Sequence, residues 1–286
     1  MHAAPAVRVL ALDIDGTLLN SKKEISPRNR GAIDHARSLG LRIVLVTGRR
    51  YPAAKKIADD LGGDPALILH NGGLIVEAGT PVRVRPLNRD TAIKVVRFSK
   101  RRRADPVVHF GHRGEGLLYV ENALPSHTLL AYYLSRSHPD VRIVEHLETA
   151  IMREVEDPLL VMFGGGMEEM LKLAQAIEVQ SFDASALRTV YPRDDLSLID
   201  VVGRAVDKSE ALRFLCDRWG VDVSEILAVG DNWNDREMLR MAGIGCVMGN
   251  AEPDLKCLGL TLVQDNDRDG VAEAIQRFIL DPVAEK

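Results

Sequence analysis

Cysteine is scarce in this chain. Its three examples, Cys216, Cys246 and Cys257, are odd in number and show no Cys-x-x-Cys spacing. That excludes a disulfide framework and a structural zinc site as organising devices, and it fits a reducing, cytoplasmic setting. No apolar run is long enough to cross a membrane. The amino-terminal apolar stretch is broken by Arg8 and Asp13, too brief for a span or a signal peptide. A strong excess of one charge is also missing: the formal net charge is -4, which gives no reason to expect nucleic acid as a partner. There is no internal repeat and no low-complexity segment. What remains is globular material, 46% hydrophobic and 27% charged in 286 residues, enough for one core or two.

The organising stretch runs from Val9 to Asn20. An apolar run of strand length ends in Asp13 and Asp15, followed at once by Gly16 and Thr17. A strand covered on both faces stays apolar until it ends, and ligands bind just past its carboxyl end. Two carboxylates at i and i+2 share one side of an extended backbone, placed to share a cation or to divide the work of nucleophile and proton carrier. The plain alternative is an Asp-Gly turn with Asp13 as a helix cap.

Further along, the same pattern returns. Ser26-Pro27 caps a helix that stops at Gly40, and Leu41 to Val46 is a second buried strand ending in Thr47-Gly48-Arg49. Strand, helix, strand at this spacing is a right-handed crossover, so both strands end at one edge and Thr47 lands near Asp13. Pro52 to Leu61 reads as helix, and Leu67 to Leu69 as a strand ending in the turn His70-Asn71-Gly72-Gly73. From about Thr80 the pattern changes to short strands alternating with helices. A helix at 90–100 is followed by strands at 107–110 and 117–120, a helix at 126–136, strands at 141–144 and 159–163, a helix at 167–180, and a hairpin of 187–191 with 196–201. These units suit a sheet with helices on one face. The first pattern resumes with a helix from Lys208, a strand ending in Gly230-Asp231, and a helix from Asn234. The expected fold is therefore α/β: a Rossmann-like, doubly wound parallel sheet formed by 1–82 and 192–286, interrupted by an α+β insertion at 83–191.

Asp231 and Asp235 are four apart at a strand end, placed to lie on one face of a helix's first turn. Asp235 taken alone reads equally as an acid at a helix N-terminus. Thr47 and Lys208 taken singly read as structural or solvent-exposed. The histidines and arginines of the insertion, His109, His112, Arg113 and those near Arg83, carry no specific substrate motif.

Together, Asp13-x-Asp15-Gly16-Thr17, Thr47-Gly48-Arg49, Lys208 and Gly230-Asp231-Asn232-Trp233-Asn234-Asp235 resemble the haloacid dehalogenase superfamily, in its Cof-type, subclass IIB branch with a large cap. Lys208 departs from the pattern in being followed by Ser209 rather than glycine. The resemblance implies a phosphatase for a small phosphorylated metabolite, a sugar phosphate, with the insertion as the substrate-selecting cap. In it Asp13 becomes an aspartyl phosphate, and Asp15 protonates the leaving oxygen and then activates water. A carboxylate-rich setting is expected to raise the Asp15 pKa. Thr47, Gly48, Lys208 and Asn234 would bind phosphate, Asn234 alternatively orienting Lys208. Mg2+ would sit on Asp13, Asp231, Asp235 and the Asp15 carbonyl. The alternatives are a phosphomutase and a non-catalytic phosphate-binding protein. A membrane-bound ion pump lacks its spans here, and a phosphoacceptor receiver domain is far shorter and does not carry this motif.

Overall fold

The structure is a computed structural model and describes residues 7–121, 127–137 and 139–281. Strand β1 (Val9–Asp13) leads to helix α1 (Pro27–Ser38), strand β2 (Arg42–Val46), helix α2 (Tyr51–Leu61), and strands β3 (Ala66–Leu69), β4 (Leu74–Glu77) and β5 (Thr80–Val84). There follow α3 (Arg89–Lys100), β6 (Val107–Phe110), β7 (Leu117–Val120), α4 (Thr128–Arg136), β8 (Val141–Ile143), α5 (Leu147–Arg153), β9 (Leu160–Gly165), α6 (Met167–Glu178), β10 (Ala184–Tyr191) and β11 (Leu196–Gly203). The chain closes with α7 (Lys208–Trp219), β12 (Ile226–Gly230), α8 (Arg236–Met241), β13 (Ile244–Val247), α9 (Pro253–Lys256), β14 (Thr261–Leu262) and α10 (Gly270–Ile275). Two compact units result. The first holds the chain up to Arg49, Ala53–Gly79 and the chain from Lys208 onward; the second holds Arg50–Pro52 and Thr80–Asp207.

In the first unit the strands lie side by side as β14-β13-β12-β1-β2-β3-β4. All neighbours from β14 to β3 are parallel, and β4 turns back antiparallel on β3. Strands β1 and β12 are buried at every position, as a sheet covered on both faces requires. From β1 the winding runs outward through β2 and β3 on one side, and from β12 through β13 and β14 on the other. The order thus reverses between β1 and β12, which is where open α/β sheets bind their ligands. Register delivers the polar residues there: Asp13 lies beside Val46, and Leu12 beside Val229. Helix α1 begins as its sequence dictates, with the Ser26 side chain accepting from the Asn29 amide and Pro27 in the first turn.

The second unit has its own sheet, ordered β10-β11-β9-β6-β7-β8. Its pairs are antiparallel apart from β7 with β8. Alternation splits its apolar residues between two cores. Val108, Phe110, Tyr119, Val161, Phe163, Ile199 and Val201 pack with residues of α3, α5 and α6, whereas Val107, Leu118, Val120, Leu160 and Met162 pack with Leu130 and Leu134 of α4. Helices therefore cover both faces, not one. The expected boundary at 191 also moves. Strands β10 and β11 pair from Ala184 with Gly203 to Tyr191 with Leu196, so a boundary there would split a hairpin, and the unit runs from Thr80 to Asp207. The strands β4 and β5 and the short helix α5 are additions to the expected elements. Ser126, expected in the α4 helix, lies outside the described residues.

Candidate active site

Four segments of the first unit meet at the β1/β12 edge. Asp13 ends β1, Asp231 follows β12, Asp235 closes a single 3-10 turn (Trp233–Asp235), and Lys208 opens α7. Lys208 is buried, and its Nζ donates to Asp13 Oδ1 at 2.6 Å and to Asp235 Oδ1 at 2.5 Å. Carboxylate oxygens of Asp13, Asp231 and Asp235 lie within 4.8 Å of one another. Thr17 donates its hydroxyl to Asp231 Oδ1 at 2.7 Å. Gly16 makes this approach possible: its φ is +82°, and a Cβ there would stand 2.3 Å from Asp231 Oδ2.

Asp235 takes the capping role that its position suggested and also reaches Lys208. Oδ2 accepts from the backbone amides of Asp231 (3.1 Å) and Asn232 (2.9 Å), capping the turn, while Oδ1 faces Lys208. A short loop is thereby fixed by the same side chain that contributes to the cluster.

The charges are strongly perturbed. Burial pushes the Asp13 carboxyl up to about 7; Lys208 opposes this and Asp235 adds to it. Asp231 is raised well above the usual range by burial and then by its neighbours Asp13 and Asp235. Burial alone would lower Lys208, but Asp13 and Asp235 outweigh it and raise the ammonium's pKa. Three carboxylates gathered away from water around one ammonium leave an excess of negative charge, suited to a hard cation with oxygen ligands.

Asp15 behaves differently from expectation. Burial would raise it, but the Arg49 guanidinium and then Lys23 outweigh that and hold it below the ordinary value. Arg49 Nε donates to Asp15 Oδ2 at 2.6 Å and its Nη2 to Oδ1 at 2.7 Å, with Lys23 Nζ at 3.3 Å from Oδ1. Asp15 faces cations rather than carboxylates. Arg49 is visible in the sequence as the third residue of Thr47-Gly48-Arg49, but nothing there says which acid it reaches, 34 residues away.

The amide of Thr47 donates to the Ile68 carbonyl at 2.8 Å, so it is committed to the sheet and is not free for phosphate. The hydroxyl oxygen accepts from the Arg49 amide at 3.1 Å, which leaves its hydrogen to give. Asn234 engages not Lys208 but Asn71, its Nδ2 donating to Asn71 Oδ1 at 2.9 Å. Asn71 is buried, at a left-handed φ of +54°, with its amide donating to the Thr47 carbonyl at 3.1 Å. Its side chain lies 3.2 Å from where a Gly48 Cβ would be, so a side chain at 48 would crowd Asn71. Asn71 thus ties the β2 loop to the β12 loop, a role that the turn sequence His70-Asn71-Gly72-Gly73 does not disclose.

Comparison with known proteins agrees with this geometry. The model of the haloacid dehalogenase-like hydrolase family matches residues 10–275. The chain is 30% identical over 278 residues to the HMP-PP phosphatase of Serratia proteamaculans, covering 96% of each. It is 28% identical over 285 residues to the chloroplastic endoribonuclease YBEY of Arabidopsis thaliana, of which it spans only 47%. A solved phosphatase of the haloalkanoate (HAD) superfamily from Bacteroides thetaiotaomicron is 26% identical, with a TM-score of 0.79 over 96% of this chain and 95% of that one. A solved HAD subclass IIB sugar phosphatase, 20% identical, shares the fold with a TM-score of 0.74 over 94% of this chain and 98% of that one. The chain belongs to the haloacid dehalogenase-like hydrolase family and, as one of its phosphatases, is an enzyme that cleaves phosphoric monoesters.

Proposed function

We propose that the chain is a magnesium-dependent phosphatase that hydrolyses a small phosphorylated metabolite, a sugar phosphate, through an aspartyl phosphate on Asp13. The observation that carries this reading is Lys208 Nζ, 2.6 Å from Asp13 and 2.5 Å from Asp235, inside a set of three mutually close carboxylates. A phosphoryl group is attacked by an anion only where its charge is neutralised and the partners are aligned. Asp13, Asp231 and Asp235, with the Asp15 carbonyl, would hold Mg2+; the cation, when bound, neutralises these carboxylates and draws charge from the phosphoryl oxygens.

The chain's own residues do the rest. A carboxylate oxygen of Asp13 forms a bond to phosphorus as the bond to the leaving oxygen breaks, and that oxygen takes a proton from the minor fraction of Asp15 that carries one, since the Arg49 pair favours its carboxylate. Water then attacks phosphorus, losing its proton to Asp15, and the bond to Asp13 breaks to release inorganic phosphate. Lys208 holds Asp13 in place and adds positive charge, and the Thr47 hydroxyl and Gly48 line the phosphate's place, with Asn234 held beside them by Asn71. The second unit serves as the cap that selects the substrate. The sugar class draws on the subclass IIB fold relative, and the breadth of small metabolites on the HMP-PP phosphatase relative.

The test is release of inorganic phosphate from a panel of sugar phosphates and p-nitrophenyl phosphate, with Mg2+ and with chelator. Turnover is expected only with the metal, and Asp13→Asn should lower it by about 10⁴-fold or more. Retained turnover in that variant, or phosphate transfer only in the presence of a bisphosphate activator, would refute the reading, the second outcome in favour of a mutase.

A further inference from the structure

We propose that Arg49 is the positioning residue for Asp15, fixing the plane and direction of its carboxylate relative to the leaving-group oxygen. The inference rests on the phosphatase reading. Two parallel N–H donors at 2.6 and 2.7 Å meet the two oxygens of one carboxylate. A fork of this kind sets orientation as well as distance, which a single bond does not. Apart from a backbone bridge to Leu19, little else holds Asp15. It lies two residues beyond the end of β1, and Lys23, its other cationic neighbour, is 3.3 Å away with a side chain 63% exposed.

Arg49 is itself held from the backbone side. Its amide donates to Thr47 Oγ1 at 3.1 Å, and its carbonyl accepts from the His70 amide at 3.2 Å. The guanidinium therefore projects from a loop anchored to β2 and to the turn after β3, and carries that rigidity to Asp15. Misplacing a catalytic group by 1 Å costs about a hundredfold in rate.

Proton delivery matters only when the leaving oxygen is a poor one. An alkoxide from a hexose 6-phosphate needs the proton, whereas p-nitrophenolate departs without it. The measurement is kcat/KM, which reports on steps up to transfer of the phosphoryl group and excludes later hydrolysis. Arg49→Met also lets Asp15 keep its proton more readily, but the loss of orientation dominates, so kcat/KM should fall by about 10²-fold for a hexose 6-phosphate and by less than about threefold for p-nitrophenyl phosphate. Asp15→Asn should show the same asymmetry, and Arg49→Met added to Asp15→Asn should cause no further loss. Arg49→Lys, which keeps the charge but not the fork, should restore only part of the hexose phosphate rate. It also keeps the test alive should the methionine variant fold poorly.

An equal fall on both esters, or a double variant whose losses multiply, would overturn the proposal, because Arg49 would then act on phosphate or on the fold independently of Asp15. Full rescue by lysine would overturn it too. Failure of the phosphatase reading looks different: the native chain would release no phosphate, or Asp13→Asn would stay active, and the proposal would fall with it.

Discussion

In the first unit, β1 and β12 are buried from end to end, and Asp13 and Asp231 come only where those strands stop. In the second unit polar residues sit within strands: His109 in β6, Arg142 in β8 and Asp200 in β11. The cause is strand direction. Parallel strands covered on both faces expel charge to their ends, and because they run the same way those ends coincide. Charges in the first unit therefore converge into one cluster. Charges in the second are dispersed, as in Lys100, which pairs with Glu121 just past β7 and with Glu148 in α5. Buried charge is concentrated where chemistry is expected, while the apolar residues of the second sheet build its cores.

Three measurements bear on this contrast. The largest effect is expected from Phe163→Ala, a fully buried ring in the core beneath α3, α5 and α6. Denaturant unfolding should show a loss of about 3–5 kcal/mol, with Mg2+ affinity unchanged. A parallel loss of metal affinity would show that the two units are not energetically separate. Next, Mg2+ at a hundred times its Kd should stabilise the native chain by about 2.7 kcal/mol, seen as a rise in Tm. Asp231→Asn should remove most of that rise, and its persistence would place the cation elsewhere.

The smallest effect concerns the dispersed pairs. Lys100→Met should cost no more than about 1 kcal/mol, as for pairs near the surface. Burial would raise the Glu148 carboxyl, but the Lys100 hydrogen bond outweighs it and holds it below the ordinary 4.5. A carboxyl lowered by folding contributes its stability above the unfolded value and loses it as pH falls through the folded one. The difference between native and Lys100→Met should thus be constant above about pH 5 and shrink below about pH 4.

Legibility followed the same division. Asp13, Asp15, Thr47 and Asp231 are readable because each ends an apolar run, and the crossover rule then fixes where those ends meet. Lys208 is found as the first residue of a helix, and α7 does begin there. What escapes are contacts that no local pattern encodes. Arg49 reaches Asp15, and Asn71 reaches Asn234, across the fold. In the second unit α5 gives no signal: its N-cap residue, His146, makes no side-chain capping bond, and only Leu147 and Ile151 are buried in it. The alternation along β6, β7 and β9 does carry the information that apolar residues face both ways, and hence that α4 has a surface of its own to cover.

The reversal of strand order between β1 and β12 has a consequence for the chain as it is made. Val9 pairs with Arg42 on one side and with Ile226 on the other. A growing chain can form the first of these pairs early, but not the second until nearly the whole polypeptide has emerged. All strands of the second sheet lie between Val107 and Gly203, so they are complete before β12 exists. Until then β1 keeps one open edge, and Asp13 at its tip stays without Asp231 and Asp235, so the carboxylate cluster is completed only after the whole second sheet has been made.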